Sequence, residues 1–233
     1  MIFFMKPLLI IGNGKSTKAL EGKFDLIDKN FDSVTLGFSF RYFQNIENWN
    51  STYYIQGDSK VALGNKKQYI KFFQNTKIPL ENTFFSYKFK KYNHSLISHG
   101  PSGLKAIELG EKLGYKEIYL IGIDLNYSKK RNSSLKKLNK IEYLFKGYHK
   151  LDLPKDRKYS TIRKIKEVYK DGSYFVDDYL RKNDIISLPD NEGSEVIYER
   201  RIRNMISNDH RFYDLGNSPF SFIKKKNVEN FLN

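Results

Sequence analysis

The stretch LLIIGNGKST, Leu8 to Thr17, decides how the rest of the chain is read. Four apolar residues break directly into Gly12-Asn13-Gly14 and then into polar Lys15-Ser16-Thr17. A buried strand that runs into a glycine turn is the pattern of an open α/β sheet, and such sheets receive nucleotides at these turns. Gly12 and Gly14 permit a sharp reversal and let a ligand approach the main chain. Backbone N–H groups in the turn suit a phosphate, and Asn13 adds a side-chain amide to the same crevice. Neither familiar phosphate loop is complete. A Walker A loop would carry glycine where Leu9 stands, and a dinucleotide fingerprint would carry one where Thr17 stands. A plain tight turn after a strand is the competing reading.

Outward from the turn, residues 15–22 predict a helix capped by Ser16 or Thr17. Residues 33–36 and 52–55 predict short strands, the second followed by Gln56-Gly57-Asp58. An acid just past a strand end can grip a ribose or cap a helix. Residues 63–74 suit a helix, and 84–89 an aromatic strand at an edge. Between 102 and 113, Leu104, Ile107, Leu109 and Leu113 recur at near-helical spacing, with Gly114 as the stop. The apolar run 118–123 then predicts a strand that ends at Asp124. Residues 126–158 are polar, basic and poorly patterned, as in a lid or loop. Residues 159–169 and 196–206 read as helices, and 212–215 as a late strand with Gly216-Asn217-Ser218 at its end. The alternation predicts one α/β domain over residues 1–233. It is Rossmann-like, with a mostly parallel sheet, helices on both faces and a basic lid-like insertion at 126–193.

Composition narrows the chemistry. The 233 residues contain no cysteine, so disulfides and thiolate metal sites are excluded and a reducing, cytoplasmic setting is the natural reading. The four histidines, His94, His99, His149 and His210, show no paired metal-ligand spacing. A net charge of +15 suggests an acidic partner: a nucleotide, an acidic glycan or an anionic membrane face. Lysine is spread along the whole chain and no nucleic-acid-binding motif accompanies its clusters, so nucleic acid is not the expected partner. The apolar residues 1–11 are too few to span a bilayer and lack a small-residue cleavage site. Peripheral contact at the inner face of the membrane through basic patches remains compatible with this composition.

GNGKS at 12–16, Ser102-Gly103 leading a helix into LGYKEIYLIGID at 113–124, and a late strand ending in Asn217-Ser218 together resemble a family. It is that of the bacterial sialyltransferases that cap lipooligosaccharides, with the related Rossmann-like, flagellin-modifying glycosyltransferases. The resemblance implies an inverting, metal-independent transfer from a CMP-activated sugar, sialic acid or a related acidic sugar, to a cell-surface glycan or glycolipid. No cofactor is implied beyond the nucleotide-sugar co-substrate. A homo-oligomer is common in the family. Carried over by position, Gly12, Asn13, Gly14 and Ser16 fall at the donor phosphate, Ser102 and Gly103 at the sugar carboxylate, and Asn217 and Ser218 at the cytidine. Asp58 and Asp124 flank this site, Asp124 either touching ligand or bracing its loop.

The chain departs from the family at informative places. His99 stands where the family has arginine, and Gly37-Phe38-Ser39 where it has an asparagine after the second strand. The catalytic base has two alignments. His149, in Gly147-Tyr148-His149, resembles the surroundings of the family base and has the pKa range for taking a hydroxyl proton. A second pattern puts Tyr174 in the base position, with Asp178 nearby. Tyr127 is the expected phenol donor to the leaving phosphate. Two other functions suit the same sheet: magnesium-dependent phosphate transfer like that of the pterin pyrophosphokinases, using Asp58 and Asp124, and non-catalytic nucleotide or glycan binding.

Overall fold

The computed structural model describes residues 6–47, 49–85, 95–96, 101–125, 141–143, 162–167, 174–176, 178–187 and 194–229. Eight parallel strands form the main sheet: β1 (Leu8–Ile11), β2 (Asp32–Leu36), β3 (Tyr53–Gln56), β4 (Thr83–Phe85), β5 (Ser95–Leu96), β6 (Glu117–Ile121), β10 (Arg211–Asp214) and β11 (Lys224–Lys225). Their spatial order is β11-β10-β6-β1-β2-β3-β4-β5. The expected α/β architecture is therefore present. Leu8–Ile11 is buried along its whole length, as a central parallel strand covered on both faces must be.

The two faces have different cores. Leu9 and Ile11 point into an aromatic layer built around Phe38, Phe40, Trp49, Tyr54, Tyr69 and Phe72. Helices α1 (Phe24–Asn30), α2 (Phe40–Phe43), α3 (Ser59–Gly64) and α4 (Lys66–Asn75) precede or follow its strands. Leu8 and Ile10 point the other way, into an aliphatic layer under α5 (Ser102–Lys112) and α6 (Ser194–Ser207). Helix α5 ends as its sequence predicts. Gly114 takes φ +82°, its N–H donates to Glu111 O at 3.0 Å, and Tyr115 N–H donates to Gly110 O at 3.0 Å. This is a Schellman stop.

Several local expectations are corrected. Residues 15–20 form a short 3-10 helix with no side-chain cap, because the Ser16 hydroxyl is taken elsewhere. The helix expected at 63–74 is two helices broken at Asn65. Its side chain pairs with β9 (Ile185–Ser187), donating Nδ2–H to Ile185 O at 2.7 Å and accepting Ile185 N–H at 3.0 Å. The helix expected at 159–169 is overturned where described: Ile162–Ile165 is strand β8, flanked by β7 (Ile141–Tyr143) and β9 in an antiparallel sheet. Tyr159, Ile162, Ile165 and Tyr169 have helical spacing, but ladder bonds on both sides and burial of Ile165 favour the strand.

The described part of the 126–193 insertion is thus an integral element. Ile165, Phe175, Tyr179, Leu180 and Ile186 all lie in the aromatic core. Among the described residues no helix is long and apolar enough to cross a membrane.

Candidate functional site

The chain lays down β2 to β5 on one side of β1, and β6, β10 and β11 on the other. At such a switch point the loops leaving neighbouring strands diverge and open a crevice at the carboxyl edge. Gly12-Asn13-Gly14 leaves β1 there, and Gly122-Ile123-Asp124 leaves β6 beside it.

The two turns are locked together. Gly12 N–H donates to Ile121 O at 2.7 Å and Gly14 N–H to Gly122 O at 2.9 Å. This corrects the expectation that both amides stand open for a phosphate: the β1–β6 pairing continues past the strand ends and uses them. A Cβ on Gly12 would lie 2.2 Å from Gly122 O, and one on Gly122, at φ +68°, would lie 2.1 Å from Thr17 Oγ1. Thr17 in turn donates its hydroxyl to Gly12 O at 2.9 Å. The missing third glycine of the dinucleotide pattern is explained here, since the room it would provide comes from Gly122 on the adjacent strand.

Asp124 is a brace. It is 4% exposed, accepts Ser16 N–H at 3.0 Å through Oδ2, and accepts the Ser16 hydroxyl through Oδ1. Ser16 Oγ also accepts Gly122 N–H at 2.9 Å, and a Cβ on Gly216 would come within 2.5 Å of it. Ser16 and Asp124 therefore tie the turns after β1 and β6 together, with the turn after β10 packed against Ser16. Leu125, next in the chain, is buried and held at φ 43°, a conformation that costs a branched side chain about 1–3 kcal/mol. Asp214 repeats the device, accepting Gly216 N–H at 2.9 Å and Ser218 N–H at 3.1 Å. Asp58 accepts Val61 N–H at 3.3 Å and starts α3 as an N-cap. The two carboxylates that magnesium chemistry would need are thus both engaged in local structure.

The second glycine motif reaches the same place. Gly103 opens α5, and its smallness serves packing: a Cβ there would meet Tyr198 OH at 2.5 Å and Ile123 Cδ1 at 3.1 Å. That same Ile123 methyl lies 2.8 Å from a Cβ on Gly12, so the two glycine motifs meet across one side chain. Ser102 Oγ accepts Gly57 N–H at 2.8 Å and faces Gln56 Oε1 at 3.4 Å, fixing the loop after β3 to the start of α5.

Tyr174 stands on the rim. It forms an antiparallel bridge with Gly14, and Phe175 N–H donates to Asn13 O at 3.3 Å. Its ring stacks on Tyr179 at 4.2 Å, and Tyr179 OH accepts Phe38 N–H at 3.1 Å. Tyr174, Phe175 and Tyr179 therefore pack against the turns that follow β1 and β2. His149, Tyr127 and His99 lie outside the described residues.

Within this frame three buried polar atoms have no hydrogen-bond partner: Asn13 Oδ1, Ser39 Oγ and Ser218 Oγ. They follow β1, β2 and β10. Buried polar atoms are nearly always paired, so these three make the crevice the candidate ligand site; the other two unpaired buried atoms among the described residues, Trp49 Nε1 and Arg201 Nε, do not follow these strands. Asn13 and Ser218 were legible from the sequence. Ser39 and Tyr179 were not, since only tertiary packing brings them to the crevice. Asn217 beside Ser218 is exposed. Among the described residues no group of three or more histidine or acidic side chains is placed to hold a metal ion. No family model, curated protein or solved structure matches the chain.

Proposed function

We propose that the chain is an inverting glycosyltransferase that takes a CMP-activated sugar, sialic acid or a related acidic sugar, and passes it to a cell-surface glycan or glycolipid. The observation that carries this reading is the trio of orphaned polar atoms, Asn13 Oδ1, Ser39 Oγ and Ser218 Oγ, around the switch point. A cytidine monophosphate presents an exocyclic amine, ribose hydroxyls and phosphate oxygens, which match one amide oxygen and two hydroxyls. In the reaction the bond from the sugar carbon to phosphate breaks and a bond from the acceptor oxygen forms on the opposite face. The acceptor proton passes to a base. A nucleoside monophosphate leaves with less charge than a diphosphate, so hydrogen-bond donors suffice to stabilise it.

Each residue then has a task. Asn13 orients the donor at the end of β1, with its amide nitrogen directed to the phosphate. Tyr127 supplies a phenol that donates to the leaving oxygen, and Tyr174, bridged to Gly14, is the alternative to His149 as the base. His149 is proposed as the base. Ser16 and Asp124 position the turn by tying the loops after β1 and β6 together.

Incubating the chain with CMP-sugars and candidate acceptors, and following CMP release, tests the reading. Release that falls about 100–1,000-fold in Asn13→Ala is the expected outcome, in line with the loss of one preorganised polar contact. No release from any CMP- or UDP-sugar, with or without acceptors, contradicts it.

A further inference from the structure

Asn13-Gly14 is the one asparagine–glycine step in the chain. In an unconstrained chain such a step reacts with itself in water. The glycine nitrogen, unhindered by a side chain on the next carbon, turns onto the neighbouring side-chain amide. Gly14 N loses its proton, a bond forms from it to Asn13 Cγ, and ammonia leaves. Water then opens the five-membered imide at one carbonyl or the other, giving aspartate or isoaspartate. Water is the only co-reactant, and nothing is oxidised or reduced. We infer that Asn13 is a latent self-modification site, kept as asparagine by the lock between the turns after β1 and β6. This goes beyond the transferase reading and does not rest on it.

The geometry withholds what the reaction needs. The Asn13–Gly14 peptide unit must rotate to bring Gly14 N onto Cγ, and it is tied at both ends. Gly14 N–H donates to Gly122 O at 2.9 Å, and Asn13 O accepts Phe175 N–H at 3.3 Å. The bridge between Gly14 and Tyr174 holds the same unit. The side chain is confined as well: a Cβ on Gly37 would lie 3.4 Å from Asn13 Nδ2, and Asn13 Oδ1 is buried.

The nitrogen must also give up its proton. That proton is bonded to Gly122 O, and a Cβ on Gly14 would strike the Asp124 carboxylate. A negative charge so close disfavours a second one on the nitrogen. Both Asp124 oxygens already accept from Ser16, so the carboxylate is engaged away from Gly14.

Opening followed by reaction is one-way. Isoaspartate adds a carbon to the main chain, so the amides of Gly12 and Gly14 can no longer meet Ile121 O and Gly122 O in register. Asn13 Oδ1 is also one of the three unpaired atoms of the crevice, so conversion alters the candidate site itself.

Incubating the full chain in mildly alkaline buffer, folded and in concentrated urea, tests this. Conversion is read from the mass of the tryptic peptide that carries Asn13 and from isoaspartate-specific methylation. In urea, Asn13 is expected to convert before any other asparagine. In the folded chain it should convert at least about tenfold more slowly, because reaction waits for local opening. Ser16→Ala removes the hydroxyl between Gly122 and Asp124 and should raise the folded-state rate at least about threefold, with the rate in urea unchanged. If Ser16→Ala lacks the emission of a buried Trp49, Thr17→Val takes its place, since it removes only the bond to Gly12 O, and the same rise is expected. Equal rates in the folded and unfolded native chain overturn the inference. So does a folded variant that converts no faster than the native chain, or a different asparagine that converts first in urea.

Discussion

Asp124 shows how a residue in the position of a ligand contact can serve the scaffold. Both carboxylate oxygens hold Ser16, and Ser16 holds Gly122. Removing the carboxylate in Asp124→Ala orphans a buried amide and a hydroxyl, at a cost of about 2–4 kcal/mol. Urea unfolding followed through the single tryptophan, Trp49, which is buried, reads that loss. An unchanged midpoint would mean that Asp124 braces nothing. Gly12→Ala should cost about 3 kcal/mol or more, because its methyl would strike main chain, which cannot swing aside. The sequence suggested glycines for ligand approach at 12 and 14. What it could not show is that their amides are spent on β6, because pairing between residues more than a hundred positions apart leaves no local pattern.

At the scale of elements, β9 and the residues before it, 181–187, are fastened by side chains that act as backbone. Asn65 pairs with both main-chain groups of Ile185, and Asp184 accepts from Arg41, Gln68 and the Arg181 amide. The Arg41–Asp184 pair is 7% and 1% exposed, so Asp184→Ala strands a buried guanidinium and should destabilise by about 3–5 kcal/mol. Replacing both partners, as in Arg41→Met with Asp184→Leu, should recover much of that loss, which a double-mutant cycle measures. Equal losses in the single and double variants would contradict the assignment. Elements with one strong periodicity were readable: β1, α5 with its Gly114 stop, and α6. Ile162–Ile165 was not, because an isoleucine–lysine–tyrosine run with three- and four-residue spacing suits a helix until partner strands compete for its hydrogen bonds.

For the whole molecule, tyrosines buried in both cores give the fold a characteristic response to alkali. Burial raises the phenols of Tyr54, Tyr69, Tyr115 and Tyr119 above their ordinary value near 10. Folded chains keep these protons where unfolded chains lose them. Stability is therefore full below pH 10 and falls as pH rises beyond it. The last part of the tyrosinate absorbance should appear together with the change in Trp49 emission in an alkaline titration, and ionisation of all 17 tyrosines before unfolding would contradict this. The parallel sheet was legible because strand, glycine turn, helix and strand recur in order along the chain. The antiparallel β7–β9 sheet was not, since its members are short and far apart in sequence. The central claim is that the β1–β6 switch point holds a cytidine monophosphate. Titration calorimetry with CMP on the native chain and on Asn13→Ala tests it most directly. The expected result is saturable one-site binding that weakens at least tenfold in the variant. Absence of binding, or equal affinity in both chains, would contradict it.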